Sequence, residues 1–140
     1  MQETIRDKRW GPARIFAVAF GVLYVAVALT ELITQDTLTP VLEYSAPLNA
    51  VHWGIGVLLL IAAVAGEWVS RIAARVVGAA LAVVTVWLLF SRGSFEDLLD
   101  YQQPHPLPGS YIVLYGATAL VALVAGFVSL RRRRTDAVAA

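Results

Sequence analysis

A single carboxylate interrupts the first long apolar run of this chain. Glu31 lies about one helical turn from the end of that run, where a charge costs less than the roughly 2.5–3.5 kcal/mol assigned to mid-membrane positions on insertion scales. It still requires a partner, and two side chains fall at a similar depth: Arg92, which follows another apolar run, and His52, about one turn into a third. Arg92 is the preferred partner on charge, because a guanidinium is permanently protonated. Such a pair has two uses. It can close one end of a helix bundle by an ion pair or hydrogen bond, or it can serve as a proton- or cation-linked transport site.

His52 belongs to the stretch Asn49-Ala50-Val51-His52-Trp53-Gly54-Ile55-Gly56. On a helix, spacings of three and four put Asn49, His52 and Gly56 on one face, so an amide and an imidazole point the same way above a close-packing glycine. An intramembrane histidine can ligate haem or metal. The only other histidine is His105, in a proline-rich stretch, and zinc sites need about three protein ligands while haem b commonly uses two axial ones. No cofactor or metal is therefore expected, and interhelical hydrogen bonding is the plainer role for His52.

Ala17, Gly21, Tyr24, Ala28 and Glu31 share a face of the first apolar run, and Gly78, Ala82, Thr85, Leu89 and Arg92 share one on the third. Small residues let membrane helices approach closely. Helix packing accounts for both faces; a narrow polar pore lined by Tyr24 is the sharper alternative. Tyr111, Tyr115, Thr118 and Ala122 make a mildly polar stripe on the last run, also read as packing. Arg131, Arg132, Arg133 and Arg134 directly follow that run and are expected to contact anionic lipid head groups, not nucleic acid. No Ser/His/Asp set, phosphate-binding loop or carboxylate dyad is identifiable, so no enzymatic activity is expected.

The elements that must position these residues are four apolar stretches, about 15–33, 48–66, 73–90 and 111–130. Each approaches the ~20 residues that cross a ~30 Å hydrocarbon layer as a helix. The first also resembles a signal peptide, with basic residues before it and Ala26-Val27-Ala28 as a cleavage-like site. The apolar run continues past that site, which favours a retained span. Every basic residue except Arg92 lies before the first span, between spans two and three, or after the fourth. Short Lys/Arg-rich segments stay cytoplasmic, so both termini are expected inside. Trp10 and Trp68 then fall at the inner boundary, and Tyr44, Trp53, Phe90 and Tyr111 near the outer one.

Composition agrees with these assignments. Of the 140 residues 59% are hydrophobic, well above the soluble average of about 45–50%, and the mean hydropathy is +0.69. Small soluble domains bury too little of their area to hide so much apolar surface. Cysteine is absent, which excludes disulfides, thiolate zinc sites and iron–sulfur clusters. Net charge is only +1 and all but Lys8 among the eleven basic residues are Arg, a bias that hints at a GC-rich bacterial or archaeal source.

The halves of the chain resemble each other. Ala13-Arg14-Ile15 lies over Ala74-Arg75-Val76, and in the same register Ala19, Val22 and Val25 match Ala80, Val83 and Val86. Gly56, Leu60, Ala62, Val64, Ala65 and Gly66 likewise match Gly116, Leu120, Ala122, Val124, Ala125 and Gly126. These matches predict a single membrane domain over 1–140, an all-α four-helix bundle built from two parallel-repeat hairpins. Between the last two spans, Ser94 with Asp97 forms a capping-box pattern, and Phe95, Leu98 and Leu99 follow at helical spacing, predicting a short surface helix over about 94–101. Pro104, Pro106 and Pro108 then impose an extended segment. Thr39-Pro40 marks a helix start in the other outer loop.

The Asn49, His52, Gly56 pattern, the Arg14-led first span and the duplicated hairpins together resemble the small four-helix bacterial membrane proteins, frequent in actinobacteria, that are grouped under a domain of unknown function. Those proteins show Asn-x-x-His followed by glycine in the second span and often again in the fourth. Here Ser110 and Val113 stand where the second copy would fall. The resemblance implies no activity. The expected role is a non-enzymatic accessory, assembly or scaffold module of a cell membrane, partnered by the lipid bilayer and by other membrane subunits or its own copies. The alternative is a small transporter or channel using Glu31, His52 and Tyr24.

Overall fold

The computed structural model describes residues 10–33, 45–99 and 107–138, with the side chains of 129–138 excepted. Among the described residues the chain forms five helices: α1 Pro12–Ile33, α2 Ala46–Ala65, α3 Glu67–Phe90, α4 Arg92–Leu98 and α5 Gly109–Val138. The four long ones are each long and apolar enough to cross a membrane. Thr39-Pro40, Tyr44, Tyr101, Pro104, His105 and Pro106 fall outside the described residues.

Helix starts and stops follow local chemistry. Pro12 and Pro47 open α1 and α2, where a missing N–H costs nothing and φ is already helical. Gly66 alone separates α2 from α3, at φ 111° and ψ 178°, a backbone region in which a side chain would clash. Its N–H bonds Ala62 O at 3.2 Å, and Ser70 donates both its N–H to Gly66 O and its hydroxyl to Ala62 O, each at 3.0 Å. The third helix consequently begins at Glu67, well before the apolar run, and Arg71 and Arg75 lie on it instead of in a link. Beyond the fourth apolar run no Gly or Pro intervenes, and α5 continues as helix through Arg131–Arg134.

Small residues and a few polar ones are buried between the helices beside Leu48, Leu59 and Leu88, and large apolar side chains cover the exterior. Phe90, Val64 and Ile33 are 86%, 84% and 81% exposed, as side chains facing lipid would be. Ala13, Ala17, Ala28, Ala74 and Ala122 are fully buried. α1 packs chiefly on α2, and α3 chiefly on α5; α1 and α3 also touch each other and each other's partners, while α2 and α5 share no close backbone approach. The α1–α2 crossing depends on glycine at both sides. A Cβ added to Gly21 would lie 2.9 Å from Leu60 Cγ, and one added to Gly56 would lie 2.8 Å from Val25 Cγ2.

The α1 face expected from spacing is the buried one: Ala17, Gly21, Tyr24, Ala28 and Glu31 all point inward. The corresponding α3 face is turned. Gly78 is buried, but Leu89 is 60% exposed, and the inward residues are instead Ser70, Ala73, Ala74, Val77, Gly78, Leu81 and Leu88.

The short helix α4 starts earlier than the capping box suggested. Ser91 is its N-cap residue, with no side-chain cap bond, and Ser94 sits inside the first turn, accepting from Trp87 Nε1 at 2.8 Å and donating to Ser91 O at 2.9 Å. Phe95 is buried against the Trp87 ring edge, at 5.6 Å and 77°. Leu98, three residues on, is exposed.

Candidate functional site

Three helices converge on Glu31 at the end of the bundle where α1 finishes and α2 and α5 begin. The Glu31 side chain is completely buried, in surroundings where an unpaired charge would be prohibitive, and its carboxylate collects three side-chain hydrogen-bond partners. His52 Nδ1 lies 2.9 Å from Oε1 and 3.0 Å from Oε2, forking across both oxygens. Asn49 Nδ2 donates to Oε2 at 3.0 Å and also to the Ala28 carbonyl at 2.7 Å, so one amide ties α2 to both the side chain and the backbone of α1. Tyr111 on α5 donates its hydroxyl to Oε1 at 2.8 Å.

The network continues inward through His52. Its second ring nitrogen, Nε2, lies 2.7 Å from the Tyr115 hydroxyl on α5. Three tyrosine rings surround the imidazole: Tyr111 stacked at 5.7 Å and 10°, with Tyr24 at 5.7 Å and Tyr115 at 5.8 Å, both tilted. One layer deeper, Tyr24 donates to Thr118 Oγ1 at 3.2 Å, and Thr118 donates to its own helix at Leu114 O, 2.7 Å away. His52, Tyr24, Tyr111 and Thr118 are as fully enclosed as Glu31. Because the α2 and α5 backbones stay apart, the contact between those helices at this level is made by side chains, the His52–Tyr115 bond above all.

Arg92, the preferred partner of Glu31, is not in this cluster. The third helix ends at Phe90 and Ser91 breaks the backbone, so Arg92 opens α4 instead of extending the inward face of α3, and its side chain is only partly buried. His52, Asn49 and Tyr24 are brought to Glu31 or to its neighbours. The stripe of Tyr111, Tyr115 and Thr118, read from sequence as packing, supplies more of the cluster than any other helix face. Its spacing of four and three was the available signal, and nothing in the sequence alone said that a carboxylate and an imidazole would stand opposite.

The far end of the bundle holds a second polar group. Glu67, at the start of α3, accepts the Arg14 N–H at 3.0 Å and the Ala13 N–H at 3.4 Å, satisfying two orphan donors in the first turn of α1 and placing an anion at that helix N-terminus. Its carboxylate fills the space a side chain at Gly11 would need. Arg71 Nε lies 3.6 Å from Glu67 Oε1. Arg14 donates Nε to Ala63 O at 2.8 Å while its guanidinium lies 4.9 Å from the Trp10 ring centre. Arg75 repeats the device, donating to Gly126 O at 3.0 and 3.2 Å beside Phe127.

Among the described residues no group of three or more His, Cys, Asp or Glu side chains could hold a metal ion. What the Glu31 cluster does is bind three helices together.

No curated protein and no solved structure shows significant similarity to the chain. A family profile described as "Domain of unknown function (DUF4383)" matches residues 34–128, a segment that contains Asn49, His52, Tyr111, Tyr115 and Thr118 while Tyr24 and Glu31 precede it. That match spans more than half of the sequence, so this four-span helical chain belongs to the DUF4383 family, a domain of unknown function.

Proposed function

We propose that this protein is a non-enzymatic module of a bacterial or archaeal cell membrane, an accessory, assembly or scaffold element that acts by associating with other membrane subunits or with its own copies. The observation that carries this reading is the closure of the Glu31 cluster. Both carboxylate oxygens, both imidazole nitrogens and the Asn49 amide are engaged by groups of this same chain, an arrangement that fits a fastening better than a substrate site. The duplicated hairpin belongs to the same reading. Its supports are the paired arginine devices of Arg14 and Arg75 and the exchange of packing preferences between α1–α2 and α3–α5; co-expressed halves, 1–66 and 67–140, are expected to reassemble. In this reading both termini are cytoplasmic and Arg131–Arg134 meet anionic head groups. Reporters fused after Ala140 and inserted near Gln102 test that orientation. Association itself is tested by gentle-detergent purification with cross-linking and native mass spectrometry. A stoichiometric partner or defined oligomer is expected, and a lone monomer under all mild conditions would argue against the module.

One observation favours proton- or cation-linked transport as a second reading: a continuous hydrogen-bond chain runs from Glu31 through His52 to Tyr115 and so links α1, α2 and α5. Proteoliposomes carrying the protein would then show a cation- or proton-dependent flux that Glu31→Gln removes, and equal flux in both would eliminate this reading.

A further inference from the structure

We propose that Glu31, His52 and Tyr115 form a binding site for a single exchangeable proton inside the bundle. This goes beyond either reading above, since a proton can be held without being transported. The hydrogens along the chain of contacts can be counted. The Asn49 amide can only donate to Glu31, and the Tyr111 hydroxyl is placed to donate to it, which leaves the short contacts on either side of the His52 ring, 2.9–3.0 Å to the carboxylate and 2.7 Å to the Tyr115 hydroxyl. Both lengths suit a donor at either end.

Two states differing by one proton therefore fit the same heavy-atom frame. In the first, neutral His52 donates Nδ1–H to the Glu31 carboxylate and accepts the Tyr115 O–H at Nε2. Every donor is then paired, but the cluster carries one negative charge in an enclosed interior. In the second, a proton from water has added to Nε2, the Tyr115 hydroxyl hydrogen has turned away, and the phenol oxygen accepts. The cluster is then neutral overall, whether the bridging proton stays on Nδ1 or moves onto the carboxylate, but the Tyr115 hydrogen has given up its acceptor. One state is penalised for buried charge and the other for a displaced hydroxyl hydrogen. Opposed penalties of this kind are what make occupancy depend on the proton supply instead of being locked one way.

Among the described residues, the surrounding groups leave this balance to the cluster. From α1 only the Tyr24 hydroxyl is nearby, and it is committed to Thr118. From α2 and α5 the neighbours are Asn49, Tyr111 and Thr118, none of them charged. On α4, Glu96 accepts the Leu107 N–H at 2.6 Å, and neither Arg92 nor Asp97 bonds the cluster.

The test is solid-state nitrogen NMR of the full chain, labelled at histidine and reconstituted in phosphatidylcholine–phosphatidylglycerol vesicles, with buffer pH as the variable. The chain has two histidines, and His105→Asn leaves His52 as the only signal. As pH falls, His52 is expected to pass in one step from a protonated Nδ1 with a bare Nε2 to a protonated Nε2. Glu31→Gln should abolish the step. Tyr115→Phe should retain it with an altered Nε2 resonance. A His52 spectrum unchanged across the whole pH range in which helical circular dichroism of the His105→Asn chain persists would overturn the proposal, and that result needs no substitution within the cluster. A step that survives Glu31→Gln, or one that vanishes in Tyr115→Phe, would overturn it too, by assigning the titration to His52 alone or to the tyrosine.

Discussion

Glu31 and Glu67 are the same residue placed at opposite ends of one bundle, and they are held by different physics. Glu31 is fully enclosed and takes its donors from side chains on two other helices. Glu67 keeps about a fifth of its side chain exposed and takes its donors from the backbone of a neighbouring helix start. At the first site the penalty for a missing partner is the desolvation of a buried charge. At the second, water can replace whatever is lost. A carboxylate's value to a membrane bundle thus depends on what would surround it if its partners left.

The comparison is broken most directly at Glu31. Glu31→Ala leaves the groups of His52, Asn49 and Tyr111 without their buried partner, and since one unsatisfied buried polar group costs about 1–3 kcal/mol, unfolding measured in detergent micelles should show a loss of about 3 kcal/mol or more. Glu31→Gln and His52→Gln should be non-additive when combined. A loss below about 1 kcal/mol would mean that the cluster is wetted. Glu67→Gln is expected to cost about 1 kcal/mol, the worth of an N-terminal cap and its dipole interaction. Raising ionic strength should erode that contribution and leave the Glu31 contribution nearly unchanged, because exposed charges are screened and enclosed ones are not. Equal salt sensitivity at the two ends would collapse the distinction.

A neutral bond inside the same cluster sharpens the scale. Thr118→Val removes the acceptor of Tyr24 and should cost about 0.6 kcal/mol, the average for interhelical hydrogen bonds in membranes. Smallest of all is Arg92→Gln. Its side chain makes no bond to Glu31, so the substitution should change stability by less than about 0.5 kcal/mol and should add simply to Glu31→Gln. A coupling energy between those two sites would restore the pairing that depth and charge suggested.

Arg92 shows where sequence reasoning stopped. Its register placed it level with Glu31, and the inference required α3 to run straight through Phe90. A break at Ser91 is a local event with weak sequence signal, and it moved the charge onto another helix. The α1 face was legible because five small or polar residues at spacings of three and four have one way to hide in an apolar solvent. The α3 face was not, because Leu89 is content in lipid and constrains the rotation of the helix very little.

The number of spans, their apolar exterior and the identity of the side chains that had to be sheltered are legible in the order of residues. Those follow from transfer free energies, which act on each residue separately and need no knowledge of neighbours. Tertiary structure alone decided that His52 and not Arg92 meets Glu31, that Tyr111 and Tyr115 complete the site, and that a lone Gly66 turns the chain so tightly that Glu67 reaches the start of α1. These are matters of helix rotation and break points, set by small differences among packings that bury the same residues equally well.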